Sequence, residues 1–367
     1  VRDRAARNRF ERRPVATLLA LAALAVVLAE VALRLADPSP FRFVHQARQV
    51  HAYSERWYVD LVPERTAHLW LRDRSGGNVF NFLLTTNRHG FRSFDRPRDS
   101  NPDDLEQPAG RAGVTLVHAL GDSYTMGWGV DYTSSYPALL DFLLPPEYRV
   151  LNLGADGYGT IAATEKSMQL AERFPPQHAI YLFSPNDFED DARAVATTRR
   201  SRAVHALFRG LDGLRRHSYL ANLPFVLRLE RQFGAALSPD PGARGKTLAA
   251  ERADPAALLL DSGPVPVPDA AAEANPSLAQ IERYARFLQG RGARLSVLVL
   301  SKQPASLAFY AFCRKLGLDV QLIEMPEAMR LRGDGHFNLV GNYSLARLLR
   351  EKLLAGKPEP RGATGSR

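Results

Sequence analysis

Apolar residues fall in short runs at 114–120, 149–153, 179–183, 295–300 and 320–323, each followed by a polar or glycine-rich turn and then a stretch of helical spacing. Runs of this length between turn residues read as buried strands, and strands alternating with helices predict a parallel sheet covered on both faces. Five of them predict an α/β fold, a three-layer α/β/α domain of flavodoxin-like type over 114–355. The rhythm breaks at about 190–276, too long an interval for a plain crossover. There, 203–233 has helical spacing with a basic face, and Pro/Gly-rich connectors lie at 238–244 and 263–268. The interval reads as an inserted helical cap or rim that decides which substrate fits. Ahead of the sheet, 37–113 carries short strand-like runs, clearest at 79–85, then the turn Thr86-Asn87-Arg88-His89-Gly90-Phe91-Arg92 and a Pro/Asp/Gly-rich linker from 97 to 113. This reads as an appendage without a sizeable core of its own. Residues 356–367 hold Pro358 and Pro360 and no apolar period, which predicts a disordered tail.

The amino end has a different pattern. An uninterrupted apolar run covers 15–29 and continues through Glu30 and Arg34 to Ala36, preceded by Arg2, Arg4, Arg7, Arg9, Arg12 and Arg13. The shorter run rises about 22 Å as a helix and the longer about 33 Å, so only the longer crosses a hydrocarbon core about 30 Å thick. Glu30 and Arg34, four apart, can pair and reach the far interface. The basic flank at 1–13 then stays cytoplasmic and the remainder is exported. A cleaved signal peptide has the same parts, but Val27-Leu28-Ala29 is a poor cleavage site, which favours an uncleaved anchor over 14–36. Of the formal charge of +9, residues 1–36 account for +4, and Arg199-Arg200-Ser201-Arg202 lacks interleaved aromatics. Nucleic acid is therefore not an expected partner. With 367 residues, 45% of them hydrophobic, the chain supports one globular domain with extensions. The single cysteine, Cys313, sits in an apolar run; it excludes an intramolecular disulfide or a multi-cysteine metal site and reads as buried and inert.

Candidate chemistry gathers in the turns after the strands. Gly121-Asp122-Ser123 follows the first, where open α/β sheets place their sites. Ser123 reads as a nucleophile, or alternatively as a helix N-cap. Asn152-Leu153-Gly154 follows the second strand, Ser184-Pro185-Asn186-Asp187 the third, and Asp334-Gly335-His336 precedes the last helix. All converge on the carboxyl edge of a parallel sheet. Asn186 as a turn former, and Asp187 and His336 as helix caps, are the purely structural readings.

These blocks, in this order, resemble those of the SGNH or GDSL hydrolases: Gly121-Asp122-Ser123, Gly154, Asn186-Asp187, and Asp334 with His336. The resemblance implies Ser123 as nucleophile, His336 as general base and acid, Asp334 as the carboxylate orienting the imidazole, and an oxyanion hole of the Ser123 and Gly154 N–H groups with the Asn186 amide. Two departures stand out: Ser184 occupies the position of a usual glycine, and Asp334 lies two residues before His336 where three is usual, that place being Gly333. The alginate O-acetyltransferase branch of the superfamily uses an Asp-x-His pair, though ahead of its serine; Glu324, Glu327 or a Ser-His dyad are the alternatives. The Asn87–Arg92 turn and the apolar segment are similar to features of bacterial membrane-anchored members, which implies a single-pass inner-membrane protein with its domain on the periplasmic side. The implied reaction is acyl transfer through an acyl-serine, to water as an esterase or to a sugar hydroxyl as an O-acetyltransferase. An acylated carbohydrate of the cell envelope is the implied substrate, with other esters open and a membrane acyl donor as a possible partner. Tyr124, Trp128 and Tyr158 are candidates to stack on sugar rings, although aromatics near a turn are more often only partly buried side chains. No cofactor or metal is implied, since Gly127-Trp128-Gly129 lacks a third glycine and no His/Cys cluster has ligand spacing. The alternative is a non-catalytic glycan-binding or assembly component.

Overall fold

The computed structural model describes residues 13–73, 76–93, 113–233, 275–331 and 333–355. The basic stretch before Arg13, most of the 97–113 linker, the middle of the 190–276 interval and the tail at 356–367 lie outside the described residues. Five parallel strands form one sheet: β5 (Thr115–Gly121), β6 (Tyr148–Asn152), β7 (His178–Phe183), β8 (Arg294–Leu300) and β9 (Asp319–Ile323), in the order β6-β5-β7-β8-β9. Each lies within two residues of its apolar run. Side chains alternate across the sheet, as the strand period of two requires. Leu116 and Leu120 of β5 enter one core with Phe309 and Tyr284, while Val117 and Ala119 enter the other with Leu345 and Leu349. The first core is covered by α5 (Thr160–Leu170), α9 (Pro276–Gln289) and α10 (Pro304–Lys315), the second by α4 (Tyr136–Leu143) and α11 (Leu339–Leu354). The result is the three-layer flavodoxin-like arrangement.

Ahead of the sheet lie α1 (Pro14–Ala36), α2 (Ser39–Val50) and two antiparallel hairpins, β1 (His51–Ser54) with β2 (Tyr58–Leu61) and β3 (Thr66–Arg72) with β4 (Asn78–Thr85). In β3 and β4 every second residue is buried: Ala67, Leu69 and Leu71, and Phe80, Phe82 and Leu84. With Phe43 of α2 they join the sheet's first core. The appendage thus has no separate core because its apolar face is part of the main one.

Helix α1, with a mean hydropathy of 2.5 over an 18-residue stretch and none of its side chains buried, is long and apolar enough to cross a membrane. Glu30 and Arg34 pair at 2.7 Å. The interval after β7 contains α6 (Asp187–Thr198), α7 (Arg202–His217) and α8 (Leu223–Phe233). The α7–α8 hairpin packs on α2, and α7 also on β1.

Phe82→Ala empties a fully buried site joining the β3–β4 hairpin to the main core. We expect a loss of about 3–5 kcal/mol, read as a downshift of one cooperative melting transition with no separate early step.

Candidate active site

Ser123 opens a single helical turn, α3 (Ser123–Met126), directly after β5. Asp122, not Ser123, is its N-cap: the carboxylate accepts from Tyr124 N at 2.9 Å. Gly121, at φ 149°, allows the sharp exit from the strand, since a Cβ there would lie 2.4 Å from Thr125 Oγ1 and 2.8 Å from Leu182 O. Gly154 packs equally close, its virtual Cβ 2.4 Å from Met126 N. The second loop is therefore pressed against the serine turn.

His336 arrives from the loop before α11. Its Nε2 lies 2.7 Å from Ser123 Oγ, and its Nδ1 hydrogen-bonds the Asp334 carboxylate, whose side chain is 1% exposed. A proton on Nδ1 facing Asp334 leaves Nε2 as the acceptor for the serine hydroxyl. Asp334 Oδ1 also accepts from His336 N at 3.0 Å, a tight turn carried by Gly335 at φ 88°. The shortened spacing thus still brings the carboxylate to the imidazole. Burial lowers the His336 pKa, but the hydrogen bond and charge of Asp334, with the charges of Asp122 and Asp156, outweigh it and hold the pKa above the usual imidazole value. Glu324 and Glu327 are exposed. Asn338, not His336, caps α11, accepting from Gly341 N at 3.0 Å.

The sequence-predicted oxyanion donors lie at the same edge with partners of their own. Gly154 N donates to Asn152 Oδ1 at 3.1 Å. The exposed Asn186 directs its amide nitrogen to Asp190 Oδ2 at 2.7 Å and Asp122 Oδ2 at 3.3 Å. The N–H of Ser123, in the first turn of α3, has no intrahelical acceptor. Behind these groups lies a set of buried carboxyls. Ser184 Oγ stands 2.6 Å from Asp122 Oδ2, 2.7 Å from Asp187 Oδ1 and 2.8 Å from Asn186 Oδ1, and Tyr181 OH donates to Asp187. One hydroxyl proton cannot serve three acceptors, so a carboxyl here must carry a proton. Burial, with the nearby charge of Asp122, pushes Asp187 well above the ordinary carboxylate range, and burial raises Asp190 to about 6 and Asp191 to about 7. Asp187 is therefore a buried member of this network and not a helix cap; Asn186 holds the cap position of α6. Among the described residues no group of three or more His, Cys, Asp or Glu side chains is arranged to hold a metal ion.

Sequence reasoning missed Arg92. Its guanidinium, on a residue 1% exposed, donates from Nη1 to Met126 O (2.9 Å) and Gly127 O (2.5 Å), and from Nη2 to Leu83 O (2.9 Å) and Val130 O (2.6 Å). It ties the end of the serine turn to β4. The available signal was the Asn87–Arg92 turn itself, an arginine after Gly-Phe in a segment bounded by strands. Burial draws the Arg92 pKa down to about 10, and the guanidinium remains charged at neutral pH. Of the three aromatic candidates, Tyr124 packs its ring on His336 with centroids 4.5 Å apart, and the half-buried Trp128 lies 6.4 Å from His336. Tyr158 is fully buried, donates to Asp60 Oδ1 at 2.6 Å and packs on Trp57, so it is not available to stack on a sugar.

No family model matches the chain, and comparison with curated proteins finds no match. Among solved structures, it is similar to a carbohydrate acetylesterase family member from Sinorhizobium meliloti at 11% identity and a TM-score of 0.34, over 66% of this chain and 98% of that one. It is similar to AlinE4, an SGNH-hydrolase family esterase, at 14% and 0.30, over 69% and 86%. A member of the lipolytic G-D-S-L family from Veillonella parvula gives 10% and 0.35, over 67% and 100%. Likenesses at this level do not bear on activity, which rests on the geometry above.

Two outcomes follow. Arg92→Lys keeps a charge but cannot reach four carbonyls, so we expect about 3 kcal/mol of lost stability, measured by denaturant unfolding, and a reduced turnover in the fraction that remains folded. Because the Asp191 pKa is raised, its contribution to stability is present below the unfolded carboxyl value and lost as pH rises through about 7. The melting temperature should therefore fall between about pH 5 and about pH 8, and Asp191→Asn, which keeps an acceptor for Ile161 N, should flatten that fall.

Proposed function

We propose that the chain is a serine acyl-ester hydrolase or acyltransferase of SGNH type, with Ser123 as nucleophile, His336 as general base and acid, and Asp334 as the orienting carboxylate. The observation that supports it is the continuous contact from Ser123 Oγ through His336 to the buried Asp334 carboxylate at the carboxyl edge of the sheet. In this reading His336 Nε2 takes the Ser123 proton as Oγ attacks the ester carbonyl. Negative charge on the former carbonyl oxygen is met by the N–H groups of Ser123 and Gly154 and by the Asn186 amide, the last two turning from Asn152 and from the Asp190–Asp122 pair. The C–O bond then breaks, and His336 returns its proton to the departing alcohol. An incoming water or sugar hydroxyl gives its proton to His336, attacks the acyl-serine and releases Ser123.

The raised His336 pKa suits this work, because Asp334 stabilises the imidazolium formed at each attack. An acetylated cell-envelope glycan is the proposed substrate class: Tyr124 and Trp128 offer ring faces beside His336, and α1 would hold the domain at the outer surface of a bacterial inner membrane.

Fluorophosphonate labelling tests the site directly. The wild-type protein should label, and Ser123→Ala and His336→Ala should not while still folded by circular dichroism; a folded wild type that fails to label overturns the reading. Asp334→Asn should lower kcat on the order of 10⁴-fold. The acid limb of the wild-type rate–pH profile should lie above the usual imidazole value of about 6.5, because only neutral His336 accepts the serine proton. In Asp334→Asn that limb should move down.

A further inference from the structure

The α7–α8 hairpin grips α1. Glu30 of α1 accepts from Ser218 Oγ at 2.9 Å, Tyr219 N at 3.0 Å and Leu220 N at 2.9 Å, besides its pair with Arg34. Arg34 reaches the carbonyl of His217, its guanidinium stacks on the Tyr219 ring, and Tyr219 OH donates to Asp37 at 2.9 Å. A carboxylate with this many donors is a docking point, and it fixes the height of the hairpin relative to the helix. The apolar part of α1 before Glu30 rises about 22 Å, short of the roughly 30 Å hydrocarbon core. If α1 spans, Glu30 and the turn holding it therefore sit at the outer boundary of the bilayer, not above it.

One face of the hairpin is used. His205, Phe208 and Asp212 of α7 turn to Tyr53, and Val226 of α8 enters the core. The other face is apolar and open: Leu207 is 60% exposed and Leu214, two turns on, 55%; Leu223 is 39% and Leu227, one turn on, 46%. Across 202–233 six arginines stand against Asp212 and Glu230, and Arg202, Arg228 and Arg231 are exposed. An apolar stripe with basic flanks, held at interface depth, is the pattern of helices that lie in the plane of a membrane surface.

We propose that the α7–α8 hairpin is a membrane-surface element, its open leucine face buried in the outer leaflet and its arginines on anionic lipid headgroups. The inference rests on reading α1 as a membrane span. A lipid surface is favoured as occupant because the turn joining the two helices is held by Glu30 at the end of the apolar part of α1, and the face carries basic flanks. The consequence is a fixed attitude of the domain to the bilayer: the hairpin packs on α2, and Phe43 of α2 meets Trp128, beside the serine turn, with ring centroids 6.0 Å apart.

The test uses the full chain reconstituted alone in vesicles of phosphatidylcholine and phosphatidylglycerol. An environment-sensitive fluorophore is placed by Leu207→Cys, Leu214→Cys or Leu227→Cys, with Phe142→Cys as an exposed control and Leu24→Cys as a reporter of the span; the buried Cys313 stays unlabelled. We expect the three hairpin labels to be quenched several-fold more by headgroup-proximal spin-labelled lipids than the Phe142 control, and to be shielded from aqueous iodide. Removing phosphatidylglycerol should reduce that quenching. A Leu24 label quenched from the bilayer centre, with hairpin labels as open to iodide as the control, overturns the proposal and leaves the face to a protein partner. A Leu24 label outside the hydrocarbon overturns the span itself, and the proposal with it.

Discussion

Everything near Ser123 depends on a buried cation that is held by backbone carbonyls, with the charge of Asp131 nearby. A guanidinium taken out of water costs several kcal/mol unless dipoles replace its hydration, and four backbone carbonyls do so at Nη1 and Nη2 of Arg92. Three of them belong to residues 126–130, which close the serine turn and lead into the next loop. The fourth belongs to β4. Delivery of Arg92 to this point requires the turn before it to hold its shape: Asn87 Oδ1 accepts from His89 N and Phe91 N, and Gly90 adopts φ 70° where a Cβ would stand 3.1 Å from Leu61 O. The segment ahead of the sheet is thus part of the machinery that shapes the serine turn.

A second constraint ties the other loops to the same turn. Asp122 caps α3 through one oxygen and receives Ser184 and Asn186 at the other. Ser184 also meets Asp187, which holds Tyr181, and Tyr181 OH lies 2.9 Å from Thr160 Oγ1 at the start of α5. A glycine at position 184 would leave Asp122 and Asp187 facing one another across a gap without the hydroxyl between them. The buried carboxyls are tolerated because they share protons, and their loops are expected to respond to pH together.

Much of this was legible in the chain because it is written in local patterns. The five strands show as apolar runs, since a strand buried on both faces has no polar alternation to obscure it. Gly121-Asp122-Ser123 and Asp334-Gly335-His336 stand out because the turns need glycine where the backbone does. Strand β3 escaped notice, although Thr66, His68 and Trp70 alternate with Ala67, Leu69 and Leu71, because its exposed residues are large and its apolar ones few. Arg92 escaped because its partners are backbone carbonyls, three of them 34 to 38 positions away and one, Leu83, nine positions before it, which leave no mark in side-chain chemistry. Tyr158 shows the converse: an aromatic in a site turn reads either as a sugar platform or as a buried side chain, and the Asp60 that decides for burial by binding its hydroxyl lies 98 positions earlier.

The offset between Asp334 and His336 shows what sequence spacing does and does not constrain. Orientation of an imidazole requires a carboxylate at Nδ1 with the other nitrogen free to face the serine, and says nothing about how many residues separate them. With one intervening residue, the backbone between them must curl back on itself. Gly335 at φ 88° supplies the curl, and Asp334 Oδ1, bonded to His336 N as well as to its ring, closes it. The carboxylate is then fixed through the same short loop that fixes the histidine, so neither can drift without the other. A residue with a Cβ at position 335 would resist the left-handed backbone, and the cost would fall on the alignment of the proposed base before it fell on the fold.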